Sequence, residues 1–156
     1  MAPINREIDF NNYYRTINEH TKSNQNNKSG VVYTTPKIAR DMVKKLNPKM
    51  DETIWEPAVG VGIFLITIME NIIEKYSPSP EQLTSYIENK MYFADIDKDS
   101  VDFTTQLIRD FMLEHYQVAK LSLNAKIQDS LLNSTHYDII VGNPPYIRTK
   151  NIDKTY

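Results

Sequence analysis

The sequence contains no cysteine. That absence removes disulfides, thiolate metal sites and cysteine nucleophiles together. No stretch approaches the roughly 18 consecutive apolar residues that a membrane-spanning helix needs. The opening, MAPINREIDFNNYY, lacks an apolar core of the signal-peptide kind, so the expected location is the cytoplasm. Neither charge sign is in excess: 18 Lys and Arg face 20 Asp and Glu, for a net charge of −2. A domain that grips nucleic acid unaided usually shows a basic excess. Any such grip is therefore expected to come mostly from outside this sequence. The three histidines, His20, His115 and His136, lie far apart, and none pairs with another His, Asp or Glu at a convincing metal-ligand spacing. No metal and no membrane are expected among the partners.

What is present suits one ordinary domain. The chain has 156 residues, 40% of them hydrophobic and 24% charged, enough for a single core. Residues 1–29 are polar and asparagine-rich and read as a flexible arm. Within the arm, Ile8 to Ile17 suits a short helix with Phe10, Tyr13, Tyr14 and Ile17 on one side. The second unit, 30–156, begins with TTPKIARDMVKKL, a threonine-capped helix with Ile38, Met42, Val43 and Leu46 at helical spacing. A strand, TIW, leads into the glycine loop EPAVGVG and an apolar helix, IFLITIMENIIEKY. SPEQLTSYIENK is a more exposed helix with a serine cap. MYFADID is a strand ending in acids, and KDSVDFTTQLIRDFMLEHY a long amphipathic helix. A short strand is expected near Lys126 to Gln128, and YDIIVG reads as a buried strand. This alternation predicts an α/β fold with a mostly parallel sheet flanked by helices. In such sheets the ligand lies beyond the carboxyl ends of the strands.

Four of those strand ends carry candidate chemistry. Glu56 to Gly62 places a carboxylate before two glycines, and a carboxylate there suits a ligand's ammonium better than a phosphate. Asp95, ending the second strand, suits ribose hydroxyls, while Asp97 is read as the cap of the next helix. Asp129, in the turn Gln128-Asp129-Ser130, is by itself only a turn residue. The tetrapeptide Asn143-Pro144-Pro145-Tyr146 is the strongest signal. Two consecutive prolines remove two backbone donors and stiffen the loop. Carbonyl acceptors are left beside the Asn143 side-chain oxygen, a pattern that suits a planar NH2 group, and Tyr146 is placed to stack on the attached ring.

These features together resemble the S-adenosylmethionine-dependent amino-methyltransferases of DNA, in the order where the cofactor motifs precede the catalytic one. VYTTPKIARDMV, EPAVGVGIFL, FADIDKDSV, QDSLL and NPPY are similar to successive motifs of that family, over about Gly30 to Ile152. NPPYIRTKNI also resembles large restriction-modification enzymes. The resemblance implies a Rossmann-like methyltransferase fold and S-adenosyl-L-methionine as cofactor. It implies that Thr34, with Tyr33 and Thr35 nearby, contacts the cofactor carboxylate. Glu56, in the turn with Pro57 and Ala58, faces its amino group, and Gly60 allows close backbone approach. Asp95 holds the ribose, Ile96 lies against the adenine, and Asp129, beside Ser130, takes the adenine amino group. Asn143, at the junction with the cofactor site, and the Pro144 carbonyl hold the target amino group. Pro145 stiffens the loop, and Tyr146 stacks on a flipped adenine.

Methyl transfer is then direct, without a covalent intermediate. The family's sheet has seven strands, and this sequence is expected to stop after about the fourth. The chain alone is therefore expected not to methylate DNA, and its partners to be DNA, through a missing C-terminal part, and a complementary fragment or a second copy. Val61, at a position commonly small or polar in the family, is a departure. Two alternatives share these motifs: a protein glutamine-N5 methyltransferase, and a non-catalytic fragment that binds cofactor or a partner.

Overall fold

The computed structural model describes residues 7–25, 33–130 and 135–144. Five helices and four strands alternate along these segments: α1 (Phe10–Gln25), α2 (Pro36–Leu46), β1 (Ile54–Glu56), α3 (Ile63–Tyr76), α4 (Pro80–Lys90), β2 (Met91–Asp95), α5 (Lys98–Tyr116), β3 (Asn124–Ile127) and β4 (Ile139–Ile140). The strands form one sheet in the order β3-β2-β1-β4, and every pairing is parallel. The fold is thus the expected α/β arrangement of a parallel sheet with helices.

Local sequence explains the helix ends. Thr35 caps α2, its side chain accepting from the Ile38 N–H, and Pro36 occupies the first turn, where its missing N–H costs nothing. Ser79 and Gln82 form a reciprocal capping box at the start of α4. Asn47, Ser77 and Gln117 end α2, α3 and α5 in the left-handed conformation. Helix α3 is apolar on nearly every side because neighbours enclose it: Leu65, Ile66, Ile68, Met69 and Ile72 are all fully buried.

Four expectations shift. The arm helix is longer than Ile8 to Ile17, running Phe10–Gln25, and Phe10, Tyr13, Tyr14 and Ile17 bury their stripe in the main core. Phe111 of α5 meets Phe10 and Tyr13 ring to ring, at 5.4 and 5.1 Å. In α2 the inward face is Ala39 and Val43, while Ile38, Met42 and Leu46 are exposed. The periodicity located the helix, but packing against α3 selected the stripe carrying the small Ala39. Strand β3 lies slightly earlier than expected, at Asn124–Ile127. The segment YDIIVG is not a fully buried strand. Only Ile139–Ile140 pairs, with β1 alone, and Ile140 is 63% exposed while Val141 is buried. Among the described residues β4 is an edge strand, so one of its backbone edges has no strand beside it.

The strand order puts the reversal of the sheet between β1 and β4. The chain runs outward from β1 through β2 to β3, then returns to the other side of β1. In open parallel sheets that reversal opens a crevice at the carboxyl ends of the two strands. Those ends are Glu56 and the residues after Ile140.

Candidate functional site

Glu56 ends β1 and is 1% exposed. Its Oε1 accepts a hydrogen bond from the Ala58 N–H at 3.3 Å. Its Oε2 is buried and has no hydrogen-bond partner among the described residues. Burial, first, and the neighbouring Asp95 charge raise this carboxyl well above the ordinary carboxylate range, against the lowering effect of the Ala58 N–H. An orphaned buried oxygen of this kind costs stability unless something pairs with it.

Gly142 follows β4 and presses against this carboxylate. A β-carbon there would lie 2.6 Å from Glu56 Oε1 and 3.5 Å from Pro57 Cδ. Glycine is required here for space, since no left-handed backbone is involved. The next residue, Asn143, is half-buried, and its Nδ2 donates to Thr34 Oγ1 at 3.2 Å, across 109 positions of chain. The ends of β1 and β4 and the approach to α2 therefore meet at one point.

The glycine loop is held from the next strand. Val59 N–H donates to the Ala94 carbonyl at 2.9 Å, and Gly60 N–H to Asp95 Oδ2 at 2.9 Å. Asp95 Oδ1 takes the Asp97 N–H, also at 2.9 Å. Gly60 has a φ of +53° and Gly62 of +78°, both in the region that favours glycine. They differ in their surroundings. A β-carbon on Gly62 would meet Thr104 Cγ2 at 2.8 Å, whereas one on Gly60 would meet nothing within 4 Å. Gly60 therefore borders open space, over which backbone can approach a ligand.

The other expected site residues fall around this point. Ile96, just beyond Asp95, is 76% exposed, an unusual position for an isoleucine. Tyr33 is half-buried against the core. Thr35 lies in the expected segment, but its hydroxyl is engaged in capping α2. Pro57 and Ala58 are half-buried in the turn after Glu56. Asp97 occupies the cap position of α5, but its carboxylate takes the Ser100 hydroxyl at 2.8 Å and caps no backbone N–H. The Gln128 N–H donates to the Asp95 carbonyl at 3.0 Å, which brings the turn holding exposed Asp129 and half-buried Ser130 beside β2. Pro144 is exposed, and Pro145 and Tyr146 lie outside the described residues.

Val61 is buried, as is Val59, so both valines of the glycine loop serve the core. Sequence reasoning missed two contributors. Gly142 was hidden as the tail of a strand, although a glycine between β-branched residues and Asn143 is a mark of close approach. The Thr34–Asn143 contact carries no local signal at all.

The close-packed Gly142 and the open Gly60 make a direct test. Gly142→Ala is expected to cost about 1–3 kcal/mol, because the confined Glu56 side chain must move. Gly60→Ala meets only backbone strain, about 1–2 kcal/mol. Thermal unfolding of the two variants measures this. Equal stability of Gly142→Ala and the parent would contradict the packing of β4 on Glu56.

No helix among the described residues is long and apolar enough to cross a membrane. Residues 6–155 match the family described as N-6 DNA Methylase. The chain is 26% identical over 155 residues to the type I restriction enzyme EcoEI methylase subunit of Escherichia coli, covering 94% of this chain and 30% of that protein. Among solved structures it is similar to one described as a modification subunit of a type I restriction enzyme from Vibrio vulnificus YJ016. The TM-score is 0.64 and the identity 19%, over 90% of this chain and 30% of that one. It also resembles DrdV in a DrdV–DNA complex, with a TM-score of 0.51 and 15% identity over 81% of this chain and 14% of the other. The chain thus spans about 30% of the length of the first two relatives.

Proposed function

The chain belongs to the N-6 DNA Methylase family, and from that premise we propose that it is the S-adenosylmethionine-binding portion of a DNA adenine-N6 methyltransferase of a restriction-modification system. The observation that carries this reading is the orphaned Glu56 Oε2, buried at the reversal of the sheet against Gly142. A buried carboxylate with one unsatisfied oxygen calls for a cationic donor, and the cofactor's ammonium is one.

The residues present fit the rest of that cofactor. Asp95 is anchored by two backbone N–H groups, and each carboxylate oxygen keeps a further lone pair for ribose hydroxyls. Exposed Ile96 offers an apolar wall for an adenine ring, and Asp129 in the adjoining turn an acceptor for its amino group. Open space over Gly60 admits the cofactor to the backbone. Tyr33, Thr34 and Thr35, with Pro57, Ala58 and Ser130, line the approach. The cofactor, when bound, supplies an electrophilic methyl on sulfur.

The chain's own residues do the positioning. Asn143 Oδ1 and the Pro144 carbonyl would each accept a hydrogen bond from one N–H of the target amino group, favouring a nitrogen lone pair that points to the methyl. Pro145 stiffens that loop, and Tyr146 stacks on the flipped base. No proton need be removed before attack, so alignment and fixed dipoles supply the rate. DNA is the proposed partner, reached from the cytoplasm. With a net charge of −2 and about 30% of the relatives' length, this chain is proposed not to methylate DNA alone. A complementary methyltransferase fragment or a second copy is its proposed protein partner.

Calorimetric titration with S-adenosylmethionine tests the reading. Saturable binding at a ratio of one is expected. No heat up to millimolar cofactor would sink the proposal. Turnover on adenine-containing duplex DNA by the chain alone would instead sink only the requirement for further sequence.

A further inference from the structure

The hydrogen bond between Asn143 and Thr34 has a direction. Nδ2 donates and the threonine hydroxyl accepts, at 3.2 Å. A hydroxyl carries two lone pairs and one proton. By accepting from Asn143, Thr34 keeps its own proton for a second partner. The same bond fixes which end of the Asn143 amide faces α2 and which end its carbonyl oxygen presents elsewhere.

The second partner is indicated by what lies next to it. Glu56 presses on Gly142, and Thr34 bonds Asn143, the following residue. In an amino-acid group the ammonium and the carboxylate sit on one carbon, so their partners must be neighbours. A ligand whose ammonium meets the orphaned Glu56 Oε2 would therefore bring its carboxylate to the Thr34 side of the same two residues. Thr34 also immediately precedes the cap of α2, an eleven-residue helix whose first N–H groups favour a negative charge.

We infer that Thr34 is a positioning residue that relays occupancy of the cofactor's carboxylate to the amide of Asn143. This rests on the cofactor reading above. In the occupied site the Thr34 O–H donates to the carboxylate and the Asn143 Nδ2–H to Thr34, while the Asn143 carbonyl accepts from the target amino group. Each bond in such a chain polarises the next, so the Asn143 oxygen becomes a better acceptor when cofactor is present. Thr34→Val keeps the shape and removes both functions of the hydroxyl. Thr34→Ser keeps both.

The test is nuclear magnetic resonance on the ¹⁵N-labelled 156-residue chain, reading the Asn143 side-chain amide together with the backbone signals of Gly60 and Ile96. In the parent, S-adenosylmethionine is expected to move all three. In Thr34→Val, Gly60 and Ile96 still move at saturating cofactor and the Asn143 shift is lost, whereas Thr34→Ser restores it. Decarboxylated S-adenosylmethionine gives an arm that needs no variant: with the parent it should move Gly60 and Ile96 but leave the Asn143 amide in place. An Asn143 shift of parental size in Thr34→Val, or with the decarboxylated ligand, overturns the relay while leaving the cofactor reading intact. Parental Gly60 and Ile96 signals that do not move at millimolar S-adenosylmethionine overturn both.

Discussion

Glu56→Gln is expected to weaken S-adenosylmethionine binding by roughly 10- to 150-fold, the range that follows from losing a hydrogen bond to a charged group. The cofactor-free chain is expected to become more stable at neutral pH at the same time. Both effects have one cause. The Glu56 carboxylate is 1% exposed, has one oxygen unpaired, and faces the negative charge of Asp95. Without a cation the ionised form is disfavoured, and the glutamine removes that burden while leaving an oxygen for the Ala58 N–H. With a cation the same carboxylate is the best available partner, and the amide is not. A variant that binds cofactor as tightly as the parent would remove Glu56 from the site.

The pH dependence has a definite sign. In the unfolded chain Glu56 titrates near its ordinary value, roughly 4.3. In the folded chain burial raises it well above that range. Between these two values the folded chain holds one proton more than the unfolded chain, so stability falls as pH rises through that window. Below roughly pH 4.3 both states are protonated at this group and its contribution vanishes. Denaturant unfolding of the parent and Glu56→Gln across pH should therefore diverge upward from the acid end. Binding a cationic ammonium favours the ionised form, so cofactor binding is expected to release a proton. Calorimetry in buffers of different ionisation enthalpy reads that release directly.

The alternation of elements and the placing of acids and glycines at strand ends were legible from sequence, for a local reason. Caps such as Thr35 and Ser79, the strongly apolar α3 and the acids ending β2 each declare themselves within a few residues. What stayed hidden depends on neighbours remote in sequence. The exposure of Ile38, Met42 and Leu46 follows from how α2 meets α3, and the half-exposed β4 from its place at the edge of the described sheet. The meeting of Glu56 with Gly142 and of Thr34 with Asn143 follows from the return of β4 to β1. A linear reading could put these residues in the same site but not in contact.

Glu70→Ala is expected to lower stability by about 2–4 kcal/mol, and the midpoint of thermal unfolding by roughly 5–15 °C. Glu70 lies on α3 at 8% exposure, where a lone carboxylate would be costly. It is retained because three donors converge on it: the Tyr14 hydroxyl at 2.5 Å, Arg40 Nε at 3.0 Å and Arg40 Nη2 at 2.7 Å. The Arg40 guanidinium also lies 4.5 Å from the centre of the Tyr14 ring, and Thr67 Oγ1 is 3.0 Å from the Tyr14 oxygen. One carboxylate thus joins α1, α2 and α3. The Arg40 side chain is 43% exposed and will turn to water when its partner is removed, which keeps the loss below that of a fully buried pair.

A surface ion pair on α2, the helix that carries Arg40, supplies the control. Lys37 and Asp41, at 87% and 61% side-chain exposure, pair at 3.2 Å, and Lys37→Ala is expected to cost less than about 1 kcal/mol. The Glu70 variant should also bind cofactor less well, because α2 carries the Thr34 end of the site and α3 leads out of the glycine loop. If Glu70→Ala unfolds no earlier than Lys37→Ala, the three-helix junction contributes nothing. In that case α1 rests on the aromatic packing of Phe10 and Tyr13 against Phe111 and on the burial of Ile17.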